Sequence, residues 1–176
     1  YRGLLVLGAL LAGAPTATAN VIVDWDEIAV GTVQPIGAPP SINPGLFFRA
    51  MAMTHLAMFN AVDAIAPRYQ PYNFQGKAAP APSRPAPAAS APANVLVALV
   101  PKSDVRAKLA SYLAALPDSE AKDRGVKLGE EVASKMLELR ADDGSKAPNA
   151  YRPVTQPGVY VPTVVTIGWE SITMTP

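Results

Sequence analysis

The sequence has no cysteine and a single histidine, His55, in 176 residues. The absence of cysteine excludes disulfides, thiolate metal sites and a cysteine nucleophile. One histidine argues against most histidine-based metal sites and most Ser-His catalytic arrangements. Charge is scarce as well, since charged residues make up 16% of the chain, the formal net charge is +1, and no run of Lys or Arg occurs. The sequence therefore predicts no nucleic-acid partner.

Apolar residues and proline are abundant instead. The hydrophobic fraction of 49% is ample for a core, and 176 residues suit one domain or part of a larger one. Prolines cluster within residues 34–44 and 77–92. Proline has no backbone N–H and disfavours helical conformation in the residue before it. We therefore predict extended connections there, with residues 77–92 forming a solvated Pro/Ala-rich connection and no regular helix before about Ala93.

The longest helical pattern covers residues 46–66, LFFRAMAMTHLAMFNAVDAIA. This stretch is long enough for about six turns of helix and is apolar on nearly every side. A helix that is apolar all round must be covered on all sides. The predicted fold class is therefore all-α, a helical bundle around this central apolar helix, with irregular Pro-rich connections and an extended C-terminal tail, and we expect the domain to be incomplete.

Three polar residues of this helix, Arg49, Asn60 and Asp63, fall on one stripe of its surface. Arg49 and Asp63 are about 21 Å apart along the axis, so each needs partners on other segments. A functional seam and a set of satisfied structural groups are both compatible with this pattern. The structural interpretation is the commoner one in proteins.

Two further helices are predicted from local patterns. Residues 21–33 carry acids near their start, which suits a short helix. Residues 121–139 form the clearest amphipathic segment, and Gly125 and Gly129 inside it suggest the close approach of a neighbouring element. Ser103 can cap a helix between these two, and Gly144 is placed for a left-handed helix end.

The first 19 residues have the features of a secretory signal. An apolar run at residues 3–14 follows Arg2 and precedes Ala17-Thr18-Ala19, the small-x-small pattern of a cleavage site. We predict a signal peptide at 1–19 that is clipped at its start, a mature domain at 20–176, and an exported protein, periplasmic or extracellular. No stable membrane span is expected after cleavage. A buried N-terminal helix and a retained anchor at residues 3–14 are the alternatives.

Few residues suggest chemistry. Lys77 and Arg84-Pro85 match the first phosphate-binding signature of acid phosphatases and vanadium haloperoxidases. Pro80 and Pro82 lie between them, so no helix can hold both, and no Pro-Ser-Gly-His follows, so we interpret the match as a coincidence. His55 is predicted to be a core histidine with one partner. The segment 142–145 lacks the alternating oxygen ligands of a calcium loop and is interpreted as a helix end. No catalytic, cofactor-binding or metal-binding residue is assigned.

Several segments in order nevertheless resemble a known family. They are RAMAMTHLAMFNAVDAIAPRYQPY, VLVALVP, LAALPDSEAKDRGVKLGEEVASKMLELRADDGS, PGVYVPT and a late Trp, together spanning most of residues 21–176. They resemble the N-terminal helical half of bacterial exported proteins related to vanadium-dependent haloperoxidases and type 2 phosphatidic acid phosphatases.

The resemblance implies an all-helical bundle whose oxyanion site lies in a C-terminal half. None of the family's catalytic signatures can be placed on this sequence. We therefore expect the scaffold half of a haloperoxidase-like or acid phosphatase-like enzyme, inactive alone and without a cofactor, with the missing C-terminal half as its partner and vanadate belonging to the complete protein. The alternative is an exported, non-enzymatic helical module that binds another protein, and an oligomer stays open.

Overall fold

A computed structural model describes residues 20–37, 44–76, 82–147 and 154–159. Within these ranges the chain forms α1 (Val21–Val33), α2 (Pro44–Asp63), α3 (Pro85–Leu99), α4 (Val105–Ala114) and α5 (Glu120–Leu139), with a 3-10 turn at Gln34–Gly37 after α1. The described chain is all-helical, which confirms the predicted fold class. The predicted signal peptide, Lys77 and the tail from residue 160 onward lie outside the described residues. No described helix is long and apolar enough to cross a membrane.

The helices alternate in direction along the chain. The start of α3 lies beside the start of α5, because the Ser83 backbone N–H donates to the Ala121 carbonyl at 2.8 Å. The end of α5 lies beside the start of α2, where Arg49 bonds to Asp143. We call the end of the bundle where α1, α3 and α5 begin the cleft end, because a cleft opens there. The opposite end, which contains Arg49, is called the Arg49 end.

The most enclosed helix is α3. It packs against each of the other four helices, and most of its side chains are buried. The helix predicted at residues 46–66 forms as α2 in the expected part of the sequence, but it is not covered on all sides. It contributes to both hydrophobic clusters of the core, yet it is open on one side, where 67% of Phe48 and 42% of Val62 are exposed. The buried residues of α3 are Ala86, Pro87, Ala88, Ala89, Ser90, Ala91, Pro92, Ala93, Val95 and Leu96.

The prediction of a solvated connection through residue 92 is wrong, because α3 begins at Pro85. Pro85 and Pro87 lie in the first turn, where the backbone N–H groups have no partner within a helix and nothing is lost. Pro92 lies in the helix interior, where proline ordinarily costs about 3 kcal/mol. It is buried among neighbouring helices, so tertiary packing offsets that cost.

The predicted close approach at the two glycines of α5 is confirmed. A Cβ on Gly125 would lie 2.9 Å from the Ala86 Cβ, and a Cβ on Gly129 would lie 2.5 Å from the Ser90 Cβ. Both distances are shorter than real Cβ contacts, so only glycine allows α5 to lie this close to α3. The small residues of α3 are the other half of the same contact.

Helix ends follow the sequence pattern with one exception. The Asn20 side chain accepts the Ile22 N–H at the start of α1, and Ser119 accepts the Lys122 N–H at the start of α5. The predicted cap at Ser103 is wrong, because α4 begins after Asp104, whose side chain makes no capping hydrogen bond. Gly144 has a φ of 81°, as expected for a left-handed residue after α5.

We expect Gly129→Ala to destabilise the fold. The added Cβ meets the Ser90 Cβ and, at 2.9 Å, the Ala91 backbone nitrogen, which has little freedom to move. Overpacking of this kind costs about 1–3 kcal/mol, and the helix propensity of Ala returns less than about 1 kcal/mol. Urea unfolding followed by circular dichroism measures the difference.

The matched control is Gly31→Ala in α1, where an added Cβ would meet nothing within 4 Å. This variant is expected to gain about 0.5–1 kcal/mol from helix propensity and reduced unfolded-state entropy. Equal stability of the two variants would contradict the close packing of α3 and α5.

Candidate functional site

The polar residues of α2, Arg49, Asn60 and Asp63, form hydrogen bonds to other segments of the chain. Arg49 donates from Nε to the Asp143 carboxylate at 2.6 Å and from Nη2 to the Arg140 carbonyl at 2.8 Å. Asp143 is almost fully buried, and it also accepts the Ser145 backbone N–H. Arg49 therefore ties the start of α2 to the turn after α5. The segment 142–145 is a helix end, as predicted.

Asn60 and Asp63 hold the loop that follows α2. The Asp63 carboxylate accepts the backbone N–H groups of Arg68 and Tyr69 at 2.8 and 3.2 Å. The Asn60 side chain accepts the Tyr72 N–H and donates to the Asn73 side chain, which in turn donates to a carbonyl of α5. Each residue of the predicted seam thus has a partner on another segment, which confirms the structural interpretation.

His55 has one partner, as expected, but the prediction that it lies in the core is wrong. Its Nε2 lies 2.8 Å from Oδ1 of Asp26 on α1, and both side chains are 47% exposed. His55 falls outside the buried face of α2, which carries Met53, Ala57 and Met58. The apolar residues around it in the sequence gave the wrong signal because helical neighbours in sequence point to different sides.

A cleft of about 820 Å³ opens at the cleft end of the bundle. It lies between the start of α1, the end of α2, the start of α3 and the end of α4. Its wall is apolar except at a few positions, two of which are arginines, Arg68 after α2 and Arg84 before α3. The apolar lining includes Val21, Ile22, Phe59, Val62, Ile65, Ala88 and Leu116.

Tyr112 of α4 adds a polar edge to this cleft. Burial raises the pKa of its phenol above the ordinary value, and the negative charge of Asp24 raises that pKa further. Tyr112 also packs edge-on against Trp25, with ring centroids 6.3 Å apart. Both the burial and the charge of Asp24 favour the neutral phenol over the phenolate.

A second, smaller groove of about 490 Å³ lies beside the cleft. It shares Ile22, Phe59 and Val62 with the cleft, and it contains the His55–Asp26 pair. His55 therefore faces this groove, while Arg84 lines the cleft. The match of Lys77 and Arg84 to a phosphate-binding signature, interpreted above as a coincidence, is not tested, since Lys77 lies outside the described residues.

The described residues do not bring the arginines of the cleft and the single histidine together. Arg68 and Arg84 line the cleft, but His55 is bonded to Asp26 in the neighbouring groove. In the same ranges no three His, Asp or Glu side chains are close enough together to hold a metal ion.

Comparison of the chain with protein-family models, with curated protein sequences and with solved structures finds no match in any of the three. The resemblance to haloperoxidases and phosphatases therefore stays a prediction from the sequence.

The Arg49–Asp143 pair predicts a specific pH dependence of stability. Burial by itself would raise the pKa of Asp143, but the hydrogen bonds from Arg49 and Ser145 outweigh it and lower the pKa below the ordinary value. Hydrogen bonds to charged groups contribute about 1.5–3 kcal/mol, so Asp143→Asn is expected to cost about 2 kcal/mol at neutral pH. A folded-state pKa below the unfolded one stabilises the fold above about pH 3.9 and loses this effect as the pH falls through the folded-state value.

Urea unfolding of the wild type and Asp143→Asn at a series of pH values tests this expectation. The difference in unfolding free energy should be constant near neutrality and shrink in acid. Asp118→Asn is the control, because Asp118 also pairs with a lysine, Lys122, but is 98% exposed, and it should change stability little. A pH-independent penalty for Asp143→Asn would contradict the ionic role of Asp143.

Proposed function

We propose that this chain is the structural half of an exported enzyme of the haloperoxidase or phosphatase type, and that a further part of the same protein supplies the oxyanion site. The proposal combines the sequence resemblance with two features of the described residues. These features are a polar stripe used for internal bonds and an apolar surface at the Arg49 end. Export of the protein is part of the same proposal and depends on the signal-like residues 1–19.

The observation that carries the proposal is the use of the polar residues on the longest apolar helix. Arg49, Asn60 and Asp63 each bond to loops or turns on other parts of the chain. These bonds fix the position of α2 against the end of α5 and against the loop after residue 66. Polar groups used in this way stabilise a framework and leave α2 without a polar group for chemistry along that stripe.

The Arg49 end carries the surface on which we propose the remaining half packs. Val30 near the end of α1, Phe48 at the start of α2 and Leu139 at the end of α5 are 38%, 67% and 50% exposed. They lie at the same end of the bundle as the Arg49–Asp143 pair, which ties the start of α2 to the turn after α5. Exposed apolar side chains on several helix ends suit a surface that another element covers.

In the complete protein, the resemblance implies one of two reactions. Vanadate would activate peroxide to oxidise a halide, or a phosphoryl group would pass to a histidine and then to water. We propose that the residues holding the oxyanion lie in the other half, so that this bundle acts only by positioning it. The choice between the two reactions depends on residues outside this sequence.

We expect the 176-residue chain to bind neither vanadate nor inorganic phosphate at micromolar concentration and to show no peroxidase or phosphatase turnover. Isothermal titration calorimetry with each anion tests binding directly. The matched comparison is the product of the same reading frame extended beyond the codon for Pro176. Stoichiometric vanadate binding by the 176-residue chain would contradict the proposal, and binding by the extended product alone would support it.

The second candidate is an exported module that acts by binding another protein. Exposed apolar residues at both ends of the bundle favour it, since Val62 and Tyr69 at the cleft end are 42% and 72% exposed. The reading frame separates the two candidates. A continuation that encodes Lys/Arg-Pro, Ser-Gly-His and Arg/His signatures favours the enzyme, whereas a stop codon after Pro176 favours the binding module.

A further inference from the structure

The exposed side of α2 is poor in charge for the solvent side of a helix. Between Leu46 and Asp63 the exposed positions are Phe48, Ala52, His55 and Val62, and none of them is a lysine, arginine, aspartate or glutamate. Surface helices ordinarily place charged and polar residues on the side that faces water. Here 67% of Phe48 and 42% of Val62 are exposed instead. This side of α2 therefore has the composition of a surface that packs against another helix.

The spacing of these residues is that of a helix-packing seam. With the half-buried Phe59 included, they follow one another at intervals of four, three, four and three residues. Residues at alternating intervals of three and four lie along one line of a helix, as they do where two helices pack side by side. We call Phe48, Ala52, His55, Phe59 and Val62 the α2 seam. It runs for about 21 Å along the helix.

The one titratable residue of the α2 seam lies at its centre and already has a partner. His55 is seven residues from Phe48 and seven from Val62. Its Nε2 lies 2.8 Å from Oδ1 of Asp26 on α1. An apolar surface that covers the seam therefore meets a side chain whose hydrogen bond is made within its own chain, which lowers the cost of covering it.

A groove lies beside one end of the α2 seam, and the most exposed side chain of the seam lies at the other end. The groove has a volume of about 490 Å³, and its apolar lining includes Ile22 and Val23 of α1 and Phe59 and Val62 of α2. Phe48 lies about 21 Å from Val62 along α2. A surface with an exposed ring at one end and an apolar groove at the other complements a reversed copy of itself.

Reversal of the α2 seam also places small residues against large ones. When a second α2 runs antiparallel and crosses the first at His55, Phe48 faces Val62 and Ala52 faces Phe59. In a parallel pair, Phe48 would face Phe48 and Ala52 would face Ala52, so large residues would collide and small ones would leave a gap. Packing therefore favours the antiparallel arrangement, in which a two-fold axis makes each contact occur twice.

The outward side of α1 and α2 is large enough for a stable pair. α2 has 20 residues and α1 has 13, so the two helices are about 30 and 20 Å long. Packed helices lie about 8–10 Å apart, so together they present a surface of roughly 600 Å². Burying it on two copies removes roughly 1,200 Å², which is at the lower limit of stable, specific interfaces. A dissociation constant in the micromolar range suits an interface of this size.

From the spacing of the α2 seam, its self-complementary shape and the groove, we infer that two copies of this chain pair through α1 and α2. The two seams run antiparallel, and Phe48 of each copy enters the groove of the other. A two-fold contact of this kind is closed, so it produces a dimer and leaves no copy of the surface free for further growth.

This pairing does not depend on the proposed enzyme half. Phe48 also belongs to the surface on which that half is proposed to pack, and one side chain cannot be buried in both contacts. A half that covers Phe48 would therefore exclude the second copy, and the pairing is a property of the 176-residue chain.

Sedimentation velocity of the 176-residue chain between about 1 and 100 µM tests the pairing. A monomer–dimer equilibrium is expected. Val62→Lys should raise its dissociation constant at least about tenfold, because the lysine faces Phe48 of the other copy. A chain that stays monomeric at all these concentrations would overturn the inference, and so would larger species without a dimer.

Leu139→Lys is the matched control. Leu139 is 50% exposed where Val62 is 42%, and both residues lie in the last turn of a helix, where a cation suits the helix dipole. Leu139 belongs to α5, which contributes nothing to the α2 seam or to the groove. This variant is expected to dimerise as the wild type does, with circular dichroism confirming that both variants are folded. Equal effects of the two substitutions would contradict the proposed surface.

Disulfide trapping tests the orientation, because a chain without cysteine contains only the thiols that are introduced. Phe48→Cys and Val62→Cys are oxidised separately and as an equal mixture. In the antiparallel pair, position 48 of one copy faces position 62 of the other, whereas identical positions lie about 21 Å apart, beyond the Cα separation of about 7 Å that a disulfide spans.

The mixture is therefore expected to form interchain disulfides at least about tenfold faster than either variant alone. Mass spectrometry of the intact products identifies the mixed dimer. Faster cross-linking of each variant with itself would indicate parallel copies, and equal rates in all three samples would indicate unspecific association. Either result would overturn the antiparallel pairing.

Discussion

The close approach of α3 and α5 is the constraint on which the rest of the bundle depends. Gly125 and Gly129 leave no room for a Cβ against Ala86 and Ser90, so the two helices lie at a distance that only small residues on both sides permit. In this contact α5 covers one side of α3, and the other three helices pack against its remaining sides. The helix tolerates an interior proline because the packing around it offsets the cost of the hydrogen bond that Pro92 removes.

The sequence predicts the helices whose signals are local and fails where position within a helix decides the outcome. Residues 21–33 and the amphipathic segment that forms α5 carry their own periodicity and caps, so they are recognised directly. In α3 the number of prolines suggested an irregular connection, although two of them, Pro85 and Pro87, lie where a helix tolerates proline. Alanine between the prolines was the overlooked signal, because it has the highest helix propensity and the small side chain that α5 requires.

The sequence predicted the role of the polar residues of α2, but it did not predict the cleft. The separation of Arg49 from Asp63 on one helix already required partners on other segments, and the observed bonds to Asp143 and to the loop after α2 meet that requirement. The cleft, in contrast, is assembled from four helix ends and from arginines on either side of a connection. No periodicity in the sequence brings Arg68 and Arg84 together, so the cleft is found only once the helices are placed.

The two apolar surfaces of the bundle differ in shape and charge. The cleft end is concave, and its mostly apolar wall includes two arginines that form no ion pair among the described residues. At the Arg49 end the charged pair is satisfied internally, and the exposed side chains, Phe48 above all, project from separate helix ends. The proposed second half would cover these side chains with a larger apolar face of its own.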